Sequence, residues 1–164
     1  MNQNQIQWCI DQHAGTNHMY DTYLPYEFHL RMVAKAAEQF KYLTNGYSDG
    51  DGVNFEDLEL AAWGHDLIED ARKSFNDVAT MLGKTAAEIV YAVTNEKGKT
   101  RSERANTKYY QGIRETEGAV FVKLCDRISN VQYSKMTGSD MFAKYKREND
   151  NFESLPNQAY IKGF

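Results

Sequence analysis

Apolar residues recur at intervals of three and four along most of this 164-residue chain, which is the spacing of one buried face of an α-helix. Only two prolines, Pro25 and Pro156, interrupt the pattern, and proline is the residue that a helix interior tolerates least. The sequence therefore predicts an all-α protein, a compact single-domain helical bundle. The pattern places helices near 4–14, 26–43, 55–71, 75–82, 85–95, 101–115, 117–134 and 139–149.

Boundary signals support several of these helices. A Ser or Thr followed three residues later by an acid is typical of a capping box, which satisfies the free N–H groups of a helix start. Such pairs are Ser74 with Asp77, Thr85 with Glu88, and Thr100 with Glu103. Gly83 fits a helix end, and the Gly- and Asp-rich segment 45–54 is predicted to be a loop. We expect one domain over 1–150, with 151–164 as a tail that packs on it or extends from it.

Composition limits the class of protein. A hydrophobic fraction of 41% with 26% charged residues is ordinary for a globular domain with one core. The net charge of −4 disfavours binding to a nucleic-acid backbone. No apolar run is long enough for a bilayer and no signal peptide is recognisable, so we expect a cytoplasmic protein without membrane partners. Cys9 and Cys125 belong to no ligand or redox motif and are expected to be buried reduced thiols.

The densest candidate chemistry lies in segment 61–70, where a His65-Asp66 doublet precedes a Glu69-Asp70 doublet. If the predicted helix 55–71 continues through it, residues four apart share one face, so His65 lies over Glu69 and Asp66 over Asp70. Imidazole and carboxylate groups in this arrangement suit a divalent metal, with further carboxylates nearby for proton transfer. The alternative is a charged, solvent-exposed face that follows a buried turn.

Two further segments extend the pattern: His29 begins one predicted helix and Asp126 lies within another. The order His, His-Asp and distant Asp on three helices resembles the ligand set of HD-domain metal-dependent phosphohydrolases. The second acidic doublet and the Lys-Leu-x-Asp-Arg-x-x-Asn string at 123–130 make the chain similar, more narrowly, to the hydrolase domain of RelA/SpoT alarmone enzymes and their small stand-alone relatives. This resemblance runs from about Trp8 to about Tyr145.

The resemblance implies an HD-type bundle and a metal site, with Mn²⁺ as the expected cofactor and other divalent metals left open. The implied ligands are His29, His65, Asp66 and Asp126. The metal would lower the pKa of a bound water and polarise the phosphoryl oxygen under attack. Glu69 and Asp70 are the implied catalytic acids, both ionised beside a cation, which orient or deprotonate the water and assist the leaving group.

Taken one at a time, these residues have simpler explanations. His29 also fits a buried core histidine, and Asp126 fits an ion-pair partner of Lys123 or Arg127. Glu69 and Asp70 also fit a supporting role behind the metal ligands. The ordered set as a whole favours the metal site.

Substrate contacts are predicted from the same resemblance, with solvated charges and structural hydrogen bonds as the alternatives. The candidates are Asn130, Lys97, Lys99, Arg104, His18 and Tyr145. Asn130 matches a nucleotide-contacting Asn of the family, and the cations match a basic segment that meets pyrophosphate. The family's Arg-Lys pair, whose Arg stacks on guanine, is absent from 13–21, where His18 or Tyr20 offers a ring instead.

The sequence thus predicts a stand-alone, Mn²⁺-dependent hydrolase whose substrate is a small phosphorylated nucleotide. The expected reaction removes the 3′-pyrophosphate of guanosine tetra- or pentaphosphate. One alternative is an HD phosphohydrolase with another nucleotide, such as NADPH or a deoxynucleotide. An alternative of another class is a non-catalytic, metal-dependent nucleotide sensor or interaction module. The oligomeric state is left open.

Overall fold

Helices dominate the computed structural model, which describes residues 3–44, 52–95 and 98–149. They are α1 (Gln3–Gly15), α2 (Glu27–Gln39), α3 (Phe55–Gly64), α4 (Phe75–Leu82), α5 (Lys84–Val93), α6 (Arg101–Arg104), α7 (Thr107–Glu115), α8 (Ala119–Thr137) and α9 (Met141–Arg147). A 3₁₀ helix spans Lys41–Thr44, and the two-residue strands β1 (Met19–Tyr20) and β2 (Leu24–Pro25) form an antiparallel hairpin. The predicted all-α class is confirmed.

Helix α8 lies at the centre of the bundle and packs against α2, α3, α5, α7 and α9. Fully buried side chains from five helices meet around it, namely Leu30, Leu58, Ile89, Ile113 and Phe121. Their burial from water is the main force that holds the helices together. The same helices also bury a few polar side chains next to this core, and these define the site described below.

The helix predicted over 55–71 is wrong in its second half, because α3 ends at Gly64. Consecutive turns follow, with the N–H of Leu67 donating to the carbonyl of Gly64 at 3.0 Å. Glycine disfavours helix continuation, and here a side chain at Gly64 would collide with Leu82, since an added Cβ would lie 2.6 Å from its Cδ1. The two acidic doublets therefore lie on turns and not on a continuous helix, although the N–H of Asp70 still donates to the carbonyl of Asp66 at 2.8 Å, as in one turn of a helix.

Other boundaries shift for local reasons. The predicted helix 26–43 divides into α2 and the 3₁₀ helix, and 101–115 divides into α6 and α7, where the Asn106 side chain accepts the N–H of Tyr109 and caps α7. The capping boxes at Ser74 and Thr100 are confirmed. The box at Thr85 is wrong, because α5 already begins after Gly83, whose φ of 92° ends α4.

Several predictions concern residues beyond the described ranges. Most of loop 45–54, the tail 151–164 and Lys97 lie outside the described residues. The division into a domain over 1–150 and a tail therefore stays a prediction. Cys9 and Cys125 are buried free thiols, as predicted. Across the part of the chain that the structure describes, the helices lack the combination of length and apolar character that a membrane crossing requires.

Candidate metal centre

Four predicted side chains converge at one end of the core: His29 from α2, His65 and Asp66 directly after α3, and Asp126 from α8. We call them the ligand cluster. The two His Nε2 atoms are 3.2 Å apart. The Asp66 Oδ2 lies 2.9 Å from the His65 Nε2, and the Asp126 Oδ1 lies 3.3 Å from the His29 Nε2. Both imidazoles are buried, so these nitrogen and oxygen atoms face one another away from bulk water.

The cluster fits a divalent cation. His65 Nδ1 lies 2.9 Å from the carbonyl of Ala62 and donates its proton there, which leaves Nε2 directed into the cluster as the nitrogen that can bind a metal. Burial alone would lower the pKa of His65, but the Asp66 and Asp126 carboxylates outweigh it and raise the pKa to about 9. The cluster thus stabilises positive charge. Ligand atoms of His29, His65 and Asp66 lie within 4.8 Å of one another, close enough to share one ion.

Neighbouring side chains hold the two carboxylates in place. Lys123 Nζ lies 2.9 Å from Asp126 Oδ2, so the salt bridge considered for Asp126 exists, but it uses the oxygen that does not face His29. Burial would raise the pKa of Asp126, and the Lys123 ammonium holds it well below its usual range. The phenol of Tyr26 donates to Asp66 Oδ2. Sequence reasoning missed Tyr26, although its place three residues before His29 was a signal.

Glu69 lies beside the cluster with its carboxylate fixed by Asn95. The Asn95 Nδ2 donates to Oε1 at 2.9 Å and to Oε2 at 3.0 Å, and Arg104 Nη1 lies 3.7 Å from Oε1. Sequence reasoning missed Asn95, because 26 residues separate it from Glu69 and a loop Asn carries no distinctive pattern. This arrangement orients Glu69 toward the cavity described below.

Asp70 is the second acid beside the cluster, and His18 Nε2 lies 3.9 Å from its Oδ2. Burial, together with the Asp66 and Glu69 carboxylates, raises the pKa of Asp70 to about 7. A cation bound at the ligand cluster would lower this pKa and favour the ionised form of Asp70.

A cavity of about 530 Å³ opens over the ligand cluster, and we call it the site cavity. Its wall combines acids from the turns after α3 with cations from α8 and α9. Its lining includes His29, Asp66, Asp126, Glu69, Asp70, Asn95, Lys123, Arg127, Asn130, Lys144, Tyr145 and Arg147. Anionic and cationic groups therefore face one open cavity of a size typical for small-molecule ligands.

Of the predicted substrate contacts that the structure describes, only some line the site cavity. Asn130 and Tyr145 line the site cavity. His18 stacks on Tyr26 with ring centroids 3.9 Å apart, and its Nε2 lies close to the Asp70 carboxylate. Lys99 is exposed and Arg104 reaches Glu69, and neither is among the described residues that line the cavity.

Two cations that sequence reasoning missed, Lys144 and Arg147, do line the site cavity. Their signal was the basic end of the predicted helix 139–149. However, that charge pattern alone did not show which side of the bundle the helix would face. Tertiary packing of α9 against α8 places both residues in the wall of the site cavity.

Comparisons with known proteins give relatives in sequence and in fold. No protein-family model matches the chain. A guanosine-3′,5′-bis(diphosphate) 3′-pyrophosphohydrolase MESH1 from Drosophila melanogaster is 30% identical over 80 residues, which is 49% of this chain and 45% of the relative. The protein of the same name from Danio rerio is 25% identical over 127 residues, or 77% of this chain and 65% of the relative. The chain thus spans about half to two thirds of the curated relatives it matches.

One similar solved structure is described as a metazoan ortholog of SpoT that hydrolyses ppGpp and plays a role in starvation responses. It superposes with a TM-score of 0.71, at 20% sequence identity, and the match covers 98% of this chain and 90% of the other. The two proteins therefore share one helical fold over nearly their whole length. In fold and in sequence the chain resembles the HD-type (p)ppGpp hydrolases, and the resemblance predicted from its motifs is confirmed.

Proposed function

We propose that the protein is a Mn²⁺-dependent hydrolase that removes the 3′-pyrophosphate of guanosine tetra- or pentaphosphate. The observation that carries this proposal is the ligand cluster at the base of a cavity whose wall presents two acids and several cations. The names of the MESH1 relatives supply the substrate class. A site with this charge pattern suits a small, multiply phosphorylated ligand.

The ligand cluster would hold the metal, with His29 and His65 as nitrogen ligands and Asp66 and Asp126 as oxygen ligands. A mixed nitrogen and carboxylate set of this kind suits a borderline-hard divalent ion, and the resemblance to the alarmone hydrolases implies Mn²⁺ in particular. When bound, the ion supplies Lewis-acid polarisation of the phosphoryl group and a lowered pKa for water. Tyr26 and Lys123 keep the two carboxylates oriented.

Glu69 and Asp70 would handle the protons. Both face the site cavity beside the ligand cluster. The two hydrogen bonds from Asn95 fix the plane of the Glu69 carboxylate, so that its oxygens can orient an attacking water and accept its proton. Asp70, which also lines the site cavity, would assist the departing pyrophosphate. Glu69 and Asp70 therefore complete a hydrolytic site.

Lys144 and Arg147 would bind the phosphates of the substrate, while Asn130, Tyr145 and His18 would contact the nucleoside. We expect the double variant Lys144→Met with Arg147→Met to raise KM for ppGpp by about 10²- to 10⁴-fold, because each of the two charge-assisted hydrogen bonds contributes about 1.5–3 kcal/mol and about 1.4 kcal/mol corresponds to a factor of ten. Its kcat should change little, because neither residue touches the ligand cluster. Steady-state kinetics at low salt measures both constants.

The matched control for this double variant is Lys99→Met, which removes an exposed cation that does not line the site cavity. Its KM should equal that of the wild type. An effect as large as that of the double variant would contradict the assignment to α9. It would favour instead the basic segment 97–104 that sequence reasoning selected.

A second nucleotide substrate is the main alternative, and one observation favours it: segment 13–21 contains no Arg or Lys to stack on guanine. The test is turnover by metal-stripped protein reconstituted with Mn²⁺ and offered ppGpp, NADPH, and nucleoside and deoxynucleoside triphosphates. Preferential cleavage of ppGpp supports the proposal. Preferential cleavage of another compound would change the assigned substrate but leave the assigned metal site unchanged. Binding of nucleotide without any turnover would instead support the sensor.

A further inference from the structure

The β1–β2 hairpin places Tyr20 directly against the ligand cluster. The Tyr20 ring stacks on the His29 imidazole with centroids 4.7 Å apart and an interplanar angle of 10°. Its hydroxyl donates to Asn130 Oδ1 at 3.1 Å. Burial raises the pKa of Tyr20, so the phenol keeps the proton that it donates. One side chain of the hairpin thus contacts both a ligand-cluster imidazole and an amide on α8.

Asn130 connects Tyr20 to Asp126 through its own hydrogen bonds. Its Nδ2 donates to the Asp126 carbonyl at 3.2 Å and to Asp126 Oδ1 at 2.5 Å. Oδ1 is the oxygen that faces His29, whereas Oδ2 is held by Lys123. A hydrogen-bond chain therefore runs from Tyr20 through Asn130 to the cluster-facing oxygen of Asp126.

The Asn130 amide is held at both of its ends. An Asn side chain has one acceptor end and one donor end, and rotation by 180° exchanges them. Because the carbonyl and the carboxylate of Asp126 can only accept, the Nδ2 end faces Asp126, and the Tyr20 hydroxyl donates to the Oδ1 end. Without the Tyr20 hydroxyl, the Oδ1 end loses this hydrogen bond, and the amide is held less firmly against Asp126.

The hairpin is itself anchored to α8, so Tyr20 does not depend on a loose loop. The hydroxyl of Tyr133 donates to Asp21 Oδ2 at 2.8 Å, and the Tyr133 ring packs edge-on against Tyr20 with centroids 4.9 Å apart. Asp21 adopts a left-handed φ of 59°, a conformation that non-glycine residues keep only where surrounding contacts hold them. These contacts fix the ring of Tyr20, the last residue of β1, in the position needed for the hydrogen-bond chain to Asp126.

We infer that Tyr20 is a positioning residue, which acts through Asn130 to orient Asp126 for the metal. This inference rests on the proposed function, because it assumes that the ligand cluster binds Mn²⁺. It also changes the role of Asn130: both of its N–H groups are directed at Asp126, so it meets a nucleotide through the remaining lone pair of Oδ1, as an acceptor from a ribose hydroxyl.

The test is the affinity of the metal-stripped protein for Mn²⁺, measured by titration calorimetry without nucleotide. Tyr20→Phe keeps the ring on His29 and removes only the hydroxyl. We expect its Kd for Mn²⁺ to rise about 10-fold, the low end of the effect of such supporting groups. The melting temperature without metal should stay near that of the wild type. The control is Tyr23→Phe, which alters a hairpin tyrosine that is 86% exposed and should leave the Kd unchanged.

A double-mutant cycle shows whether Tyr20 acts through Asn130. If it does, adding Tyr20→Phe to Asn130→Ala causes no further loss of Mn²⁺ affinity. Additive losses, or a Kd for Tyr20→Phe within twofold of the wild type, would overturn the inference. Since nucleotide is absent, this failure differs from that of the proposed function, in which the protein binds Mn²⁺ but does not cleave ppGpp. A wild-type protein that binds no Mn²⁺ would overturn both.

Discussion

Asp66→Ala is expected to abolish Mn²⁺ binding and to lower ppGpp turnover by at least about 10³-fold, because metal catalysis supplies several kcal/mol of transition-state stabilisation. The substitution removes the oxygen that lies 2.9 Å from His65 Nε2 and leaves the Tyr26 hydroxyl without its acceptor. Titration calorimetry measures the binding, and steady-state kinetics measures the turnover.

Thermal unfolding gives a second readout for Asp66→Ala. A ligand at 100 times its Kd stabilises the native state by about 2.7 kcal/mol, so Mn²⁺ should raise the melting temperature of the wild type and not that of the variant. The matched control is Asp11→Ala, which removes an exposed carboxylate on α1 and should keep both the metal and the activity. Turnover by Asp66→Ala at the wild-type rate would exclude the assigned ligand cluster.

Glu69→Gln should separate catalysis from metal binding. The change keeps the size and the polar character of the side chain but removes the charge and the basic oxygen, so we expect kcat to fall by about 10²- to 10⁴-fold. The Kd for Mn²⁺ should change little, because Glu69 lies outside the ligand cluster and is held by Asn95. Comparing kcat with the Kd for Mn²⁺ in the same preparation tests both parts.

Glu115→Gln is the control for this variant, since Glu115 is an exposed acid on α7 that pairs with Gln111. It should leave kcat unaltered. If Glu69→Gln lost Mn²⁺ as completely as Asp66→Ala, Glu69 would be a metal ligand, and the division of roles between the ligand cluster and the two acids would be incorrect.

The features that sequence reasoning identified correctly depend on local order along the chain. Helical periodicity is a property of neighbouring residues, so the core helices α2 and α8 were predictable, and with them the elements that carry His29 and Asp126. The motif resemblance added the His65-Asp66 doublet, and the structure brings all four side chains together. The distances between these four side chains could not be predicted from the sequence, because they depend on how the helices pack.

The features that sequence reasoning missed depend on packing between distant segments. Gly64, at the end of α3, lies in close contact with Leu82, and hydrophobic periodicity does not report such a contact. Asn95 reaches Glu69 across 26 residues, and α9 turns Lys144 and Arg147 into the site cavity by packing on α8. A two-residue strand such as β1 is too short to leave a period in the sequence.

The most direct test of the central claim is to identify the products that the Mn²⁺-reconstituted protein forms from ppGpp, by ion-exchange chromatography. The proposal predicts GDP and pyrophosphate in equal amounts, because hydrolysis removes the 3′-pyrophosphate as one unit. Neither product should form with Asp66→Ala. Release of orthophosphate in place of pyrophosphate, or recovery of intact ppGpp from a protein that has bound Mn²⁺, would contradict it.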